Sequence, residues 1–85
     1  MYELIFDSEA INFLEKAERN LAKRIWNKLV TTKEDPHRFF KRLTGRPDYK
    51  LRIGDYRVIA DLDDNNQKIE VSLIDHRSRV YKRLK

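Results

Sequence analysis

The run YKLRIGDYRV at residues 49–58 constrains the fold of this chain more than any other stretch. Gly54-Asp55 stands between two segments of alternating apolar and polar residues. This is typical of a two-residue hairpin turn, because glycine readily adopts the positive φ that such turns require. The run therefore predicts two antiparallel strands with Arg52 directly opposite Arg57. Side-chain alternation places these arginines and Lys50 on one face, the cationic face. The other face is apolar and contains Tyr49, Leu51, Ile53, Tyr56, Val58 and Ala60.

The cationic face raises an electrostatic question. Directly opposed like charges destabilise an antiparallel pair, whereas an opposite-charge pair contributes roughly 0.2–1 kcal/mol. Lys50, Arg52 and Arg57 therefore either bind an anion between them or point separately into water. Exposed charges are usually only solvated, but three cations on one hairpin face favour the anion-binding interpretation.

Composition bounds the class of protein. A chain of 85 residues builds one small core, so we expect a single domain over residues 1–85. Because cysteine is absent, the chain forms neither disulfides nor a thiolate metal site. It lacks an apolar run of the roughly 20 residues that span a membrane, and its N-terminus lacks a signal-peptide layout. We therefore expect a soluble, cytoplasmic protein with no membrane partner.

The positive charge is concentrated in the second part of the chain. Residues 1–34 carry six basic and six acidic side chains, whereas residues 35–85 carry thirteen basic and eight acidic ones. The net charge of +5 therefore comes entirely from the second part. Such an asymmetry is typical of proteins that bind nucleic acid, and it also fits an acidic protein partner.

Hydrophobic periodicity predicts the other elements. A short strand at residues 2–6 precedes two amphipathic helices, which begin at Ser8, break near residues 18–20 and end near Thr31. Pro36 cannot continue the second helix. The rest of the prediction is a turn or one-turn helix within 37–43, a loop at 44–48, and strands at 49–53, 56–62 and 68–74.

Two aromatic side chains have competing interpretations. Trp26 repeats at helical spacing with Leu29 and Val30, so a core position is favoured over a base-stacking role. His37 is interpreted as a capping or exposed residue rather than a catalytic one.

The last strand brings further candidate residues to the hairpin. If Leu62 lies near Ile69, then Val58 lies near Leu73, and Ile69, Val71 and Leu73 face inward. The chain then leaves this strand at the end of the sheet that holds Arg52 and Arg57. The candidate site comprises Lys50, Arg52, Arg57 and Arg77, with His76 and Tyr81 within reach.

These residue types suit cleavage of a phosphodiester. No carboxylate pair, glycine-rich phosphate loop or cluster of histidine and acidic residues in the sequence suggests a metal site, so no cofactor is predicted. Cations stabilise the charge that develops on a pentacoordinate phosphate. A base must take the proton of an attacking 2′-hydroxyl, and an acid must protonate the leaving oxygen.

The run Tyr-Lys-Leu-Arg-x-Gly-Asp-Tyr-Arg-Val, followed by Ile-Asp-His-Arg and Val-Tyr, resembles the RelE/ParE superfamily of toxins from bacterial and archaeal toxin–antitoxin systems, and its RelE branch in particular. The resemblance covers nearly the whole chain. It implies an α+β fold of order β-α-α-β-β-β, in which a small antiparallel sheet of about four strands carries the N-terminal helical hairpin on one face. It further implies a metal-independent endoribonuclease that cuts messenger RNA in the ribosomal A site. A RelB-like antitoxin would neutralise the toxin and mediate any contact with operator DNA.

The resemblance also implies a role for each candidate residue. Lys50 is similar to the strand lysine that acts as a base or on the phosphate, and Arg52 to its neighbouring strand arginine. Arg57 resembles the phosphate-stabilising arginine, and Arg77 resembles the arginine after the last strand. Tyr81 resembles the tail tyrosine that stacks on a base and assists protonation.

The chain departs from the RelE pattern at two points. Asp48 stands where a second lysine is often found, and the spacing from Arg77 to Tyr81 is two residues shorter than in the best-studied branch. The general acid and base therefore stay open among Lys50, His76 and Tyr81.

Two other functions within the superfamily stay open. ParE-type members inhibit DNA gyrase and are not nucleases, but they generally lack concentrated strand cations. A catalytically degenerate toxin would act only by binding its antitoxin and regulating transcription.

Overall fold

One strand, three helices, four strands and a last helix follow one another along residues 1–84, the part of the chain that the computed structural model describes. In chain order, the elements are β1 (Glu3–Phe6), α1 (Ser8–Lys16), α2 (Arg19–Thr31), α3 (Pro36–Phe39), β2 (Lys41–Arg42), β3 (Tyr49–Ile53), β4 (Tyr56–Asp63), β5 (Lys68–His76) and α4 (Arg77–Arg83). No helix in this part of the chain is long and apolar enough to cross a membrane.

The strands form one mixed sheet in the order β1-β5-β4-β3-β2. The predicted α+β class is confirmed, but the prediction of a wholly antiparallel sheet of about four strands was wrong in two respects. Strand β1 pairs with β5 in parallel. Parallel strands need a long connection between them, and the connection from β1 to β5 includes helices α1 and α2. The fifth strand, β2, has two exposed residues and hence no apolar alternation to predict it.

The helical hairpin follows the sequence prediction closely. Helix α1 ends at Lys16, and the break falls at Ala17, whose ψ of 152° is extended. The Glu18 side chain accepts a hydrogen bond from the Asn20 amide and so caps α2. The second helix ends at Thr31, as predicted. The one-turn helix α3 follows, with Pro36 in its first turn.

Trp26 occupies the edge of the core rather than its interior. It is 47% exposed, and its ring stacks on Phe6 with centroids 5.8 Å apart. The core interpretation was therefore wrong. The buried stripe of α2 consists of Ile25 and Leu29, one turn apart, and Trp26 projects about 100° around the helix from Ile25.

The register of the central hairpin is as predicted, but the next pair contains a β-bulge. Arg52 pairs with Arg57, and Leu62 pairs with Ile69. Between the 60–71 and 59–73 pairs, Ser72 is an extra residue, and its hydroxyl donates to the Ile59 carbonyl at 3.2 Å. An extra residue reverses the side-chain alternation beyond it.

Two apolar clusters lie on opposite faces of the sheet, and the bulge determines which of them Leu73 and Ile74 join. Ile74, rather than Leu73, pairs with Val58 and joins the main core under α1 and α2, so the prediction that Leu73 faces inward was wrong. Leu73 instead packs with Ile59 and Val80 in a second cluster beneath α4. The face predicted to be purely cationic is therefore partly covered by the C-terminal helix.

Candidate nucleic-acid interface

The tip of the β3–β4 hairpin positions the first two candidate arginines. Gly54 has φ of +57°, the conformation that the predicted turn requires. The Arg57 side chain curls over this turn and donates from Nη1 to the carbonyls of Gly54 and Tyr56, both at 2.9 Å. Carbonyl acceptors orient the guanidinium without neutralising its charge, so Arg57 keeps its capacity to bind an anion.

Arg77 lies at the same tip, as its spacing predicted. Its backbone amide donates to the Asp55 carbonyl at 2.7 Å, which fixes the start of α4 against the turn. Its Nε is 3.6 Å from the Asp55 carboxylate, and both side chains are more than 60% exposed. An ion pair in that setting is worth little, so Arg77 is easily drawn to a stronger anion.

Lys50 and Tyr81 meet on the cationic face. The Lys50 ammonium lies 5.8 Å from the centroid of the Tyr81 ring, within the range of a cation–π interaction. Lys41 is the register partner of Lys50 on the neighbouring strand, which adds another positive charge. Tyr81 remains 42% exposed, so its ring is accessible to a ligand.

The cations of this face are mostly uncompensated. Among residues 1–84, Arg77 is the one predicted site residue with a carboxylate within ion-pair distance. Lys50, Arg52 and Arg57 have no such partner in that part of the chain. The structure therefore places Lys50, Arg52 and Arg57 on one side of the sheet. Helix α4 adds Arg77 and Tyr81.

His76 is on the opposite face of the sheet. The bulge at Ser72 makes it the register partner of Tyr56, and the two rings meet edge-on at 5.3 Å. Its Nδ1 accepts a hydrogen bond from the Ser78 amide at 3.1 Å, which caps α4. The expectation that His76 lies within reach of the cationic face was wrong, because the reversed alternation turns it toward the helices. His37, as predicted, is exposed, and it contacts Asp64 at 2.8 Å.

A network around Asp75 holds α4 in place, and sequence reasoning missed it. The Asp75 side chain is only 8% exposed and accepts hydrogen bonds from Arg79 Nε at 3.1 Å and Arg83 Nη1 at 2.9 Å. Arg83 also bonds Glu9 of α1 at 2.9 Å, so one guanidinium links α4 to β5 and α1. The signal in the sequence was the spacing of four between Arg79 and Arg83, which places both on one side of α4, shortly after Asp75 at the end of β5.

The charge state of Asp75 is set by opposing influences. Burial, the largest of them, would raise the pKa of its carboxyl group, but the hydrogen bonds from Arg83, the His76 amide and Arg79 outweigh it. The pKa therefore lies below the ordinary value of 3.8. A carboxyl group whose pKa is lower in the folded state stabilises the fold above its unfolded pKa, and this contribution disappears as pH falls through the folded pKa.

We expect Asp75→Asn to cost stability at neutral pH and progressively less in acid. The wild type loses the charged network as pH falls below about 3.8, whereas the amide cannot ionise. Denaturant unfolding of both proteins across this range measures the difference in their free energies of unfolding. Other carboxylates contribute equally to both proteins and cancel. A difference that stays constant from neutral pH into strong acid would contradict this account of Asp75.

The fold is that of RelE toxins. The chain superposes on the toxin–antitoxin complex RelBE2 from Mycobacterium tuberculosis with a TM-score of 0.80 at 23% identity, covering 89% of this chain and 98% of the other. For the isolated E. coli RelE toxin in one crystal form, the TM-score is 0.71 at 27% identity, with 96% and 92% covered. For the archaeal RelE–RelB complex from Pyrococcus horikoshii OT3, the TM-score is 0.76 at 21% identity, with 93% and 98% covered.

The sequence comparison identifies the family. Residues 4–81 match the model of the ParE toxin of type II toxin–antitoxin systems. The chain therefore belongs to the ParE toxin family, and it is a toxin of a type II toxin–antitoxin system. Its structural neighbours are RelE toxins, which confirms the resemblance drawn from the hairpin and tail motifs. A search of curated proteins gave no significant match.

Proposed function

We propose that this toxin is a RelE-type endoribonuclease that cleaves messenger RNA in the ribosomal A site. The observation that carries the proposal is the cationic face, on which Lys50, Arg52 and Arg57 have no carboxylate at ion-pair distance in residues 1–84 and Lys50 lies beside Tyr81. Such a face costs stability through like-charge repulsion, and a bound phosphodiester removes that cost.

The proposed reaction is attack by a 2′-hydroxyl on the adjacent phosphorus. Lys50 acts from its deprotonated, neutral amine form, which accepts the hydroxyl proton as the new O–P bond forms, and the Tyr81 hydroxyl donates a proton to the 5′-oxygen as its bond to phosphorus breaks. The products are a 2′,3′-cyclic phosphate and a 5′-hydroxyl. In this proposal, the charges of Arg57 and Arg77 stabilise the pentacoordinate phosphate. With His76 on the other face, Lys50 and Tyr81 are the proton-transfer groups of the proposal.

The toxin's partner is proposed to be a RelB-like antitoxin. The solved complexes from Mycobacterium tuberculosis and Pyrococcus horikoshii OT3 contain RelE-type toxins with their antitoxins. An acidic antitoxin would complement the net charge of +5 carried by this chain. A short acidic reading frame next to the toxin gene, whose product copurifies with this chain, is the expected observation.

Ribosomes programmed with a defined message test the proposed activity. Incubation with the toxin is expected to give message ends that map to the A-site codon by primer extension. The alternative function within the family, inhibition of DNA gyrase, is tested in parallel by a supercoiling assay. Intact message together with inhibited supercoiling would overturn the nuclease proposal in favour of the gyrase one.

A further inference from the structure

A shallow hollow lined by cationic and polar residues lies on the α2 side of the hairpin. We call it the α2 hollow, and its volume is about 430 Å³. From α2 it is lined at helical spacing by residues 24, 27, 28 and 31, which form one stripe along the helix. The end of β3 and the turn complete it. Its polar and turn residues are Arg24, Asn27, Lys28, Thr31, Arg52 and Gly54.

The lining of the α2 hollow is positive. It contains three cations and no carboxylate, and within residues 1–84 none of the three has a carboxylate partner. Asp55, the acidic residue next to Gly54, is within 3.6 Å of Arg77 instead. Thr31 donates its hydroxyl proton to the backbone carbonyl of Asn27. The side-chain amide of Asn27 and the cations therefore remain as donors for a ligand.

Two contacts restrain the cations of the α2 hollow. The Arg24 guanidinium lies directly over the hairpin tip, where a Cβ at position 54 would collide with its Nη2. Glycine at this position is required by the positive φ of the turn, since the flexible end of Arg24 could move aside. The Lys28 ammonium lies 5.0 Å above the centroid of the Phe39 ring, a contact that restrains the side chain and leaves its charge uncompensated.

Arg52 belongs to both surfaces, since it lines the α2 hollow and pairs in register with Arg57 of the cationic face. We propose that the hollow binds a backbone phosphate of the same single RNA strand that lies on the cationic face, further along the strand than a trinucleotide on that face extends. This proposal rests on the proposed function. Cationic and amide donors are the usual partners of nucleic-acid phosphates. An acidic peptide is less suited, because peptide docking relies on apolar anchors, and Ile53 is the single apolar side chain among the lining residues.

Binding of 2′-O-methyl RNA tests this proposal without cleavage. The chain is titrated with a trinucleotide and a nonanucleotide at several salt concentrations, and affinity is read by fluorescence anisotropy. The variants are Arg24→Gln and the double variant Arg24→Gln/Lys28→Gln. The matched control is Lys23→Gln, which removes an exposed cation of α2 outside the hollow. Thermal unfolding of each variant verifies the fold.

We expect the double variant to weaken nonanucleotide binding and to reduce the slope of log K against log salt by about 0.7, the value for the one phosphate contact that the hollow supplies. Arg24→Gln alone should give about half this change, while Lys23→Gln and trinucleotide binding stay at wild-type values. Equal effects of Lys23→Gln and Arg24→Gln would overturn the α2 hollow. Variants that bind RNA normally but no longer bind the antitoxin would also overturn the proposal for the α2 hollow.

The same experiment separates the α2 hollow from the proposed function. A wild-type chain that cleaves message and binds the nonanucleotide, with variants indistinguishable from it, contradicts the hollow alone. A wild-type chain that neither cleaves message nor binds either oligonucleotide contradicts both.

Discussion

Replacing Arg57 with alanine is expected to reduce message cleavage by about 10²–10³-fold, the usual effect of removing one preorganised group that stabilises transition-state charge. The guanidinium is already oriented by the carbonyls of Gly54 and Tyr56, so little reorganisation is needed when the phosphate gains charge. Single-turnover cleavage on programmed ribosomes measures the rate.

The controls for this prediction separate loss of a catalytic charge from loss of structure. Arg19→Ala removes an exposed arginine at the start of α2, outside the candidate site, and should leave the rate unchanged. Arg57→Ala should unfold close to the wild-type temperature, because its side chain bonds only carbonyls of its own hairpin. Near wild-type cleavage by Arg57→Ala would remove this residue from the mechanism.

Replacing Val80 with alanine is expected to weaken the docking of α4 by about 2 kcal/mol, the order of magnitude for truncating a fully buried aliphatic side chain. Val80 is completely buried against Ile59 and Leu73, on the face of the sheet opposite the main core. Tyr81 follows it and reaches Lys50 only while α4 is docked. Cleavage should therefore fall although the main core is untouched.

Hydrogen exchange distinguishes this local effect from global unfolding. In Val80→Ala, the amides of α4 should exchange faster while those of β4 and β5 keep their protection. Val30→Ala is the matched control, since it deletes the same atoms from a valine that is 43% exposed. If α4 exchanges no faster in Val80→Ala than in Val30→Ala, the second apolar cluster does not hold the helix.

The central hairpin was predictable because its determinants are local. Gly54 supplies the positive φ, and the alternation on both sides sets the register that pairs Arg52 with Arg57. The helical hairpin and its break were predictable for the same reason, since apolar spacing along α1 and α2 reports the buried stripe directly.

The bulge at Ser72 was not predicted, and it accounts for the errors at Leu73 and His76. Its signal was present: Leu73 and Ile74 are adjacent apolar residues, whereas a half-buried strand alternates. Because strict alternation allows only one of the two residues to face inward, the prediction assigned Leu73 to the core and not Ile74. The reversal that the bulge caused placed Leu73 beneath α4 and His76 on the helical side.

The candidate site likewise contains residues that local sequence patterns predict and contacts that such patterns do not predict. Lys50, Arg52 and Arg57 follow from alternation on the hairpin, and Arg77 follows from the end of β5. The Asp75 network depends on how a short C-terminal helix packs across β5 to reach Glu9, a distant contact that no local pattern encodes.

The central claim, that the cationic face cleaves RNA through the 2′-hydroxyl, is tested most directly by chemical analysis of the message at the A-site codon. A message with a single 2′-deoxy nucleotide at the mapped cut is compared with its all-ribose counterpart on the same ribosomes. The account predicts a 2′,3′-cyclic phosphate and a 5′-hydroxyl from the ribose message and no cut at the substituted position. Undiminished cutting at the deoxy nucleotide, or products with a 5′-phosphate, would contradict it.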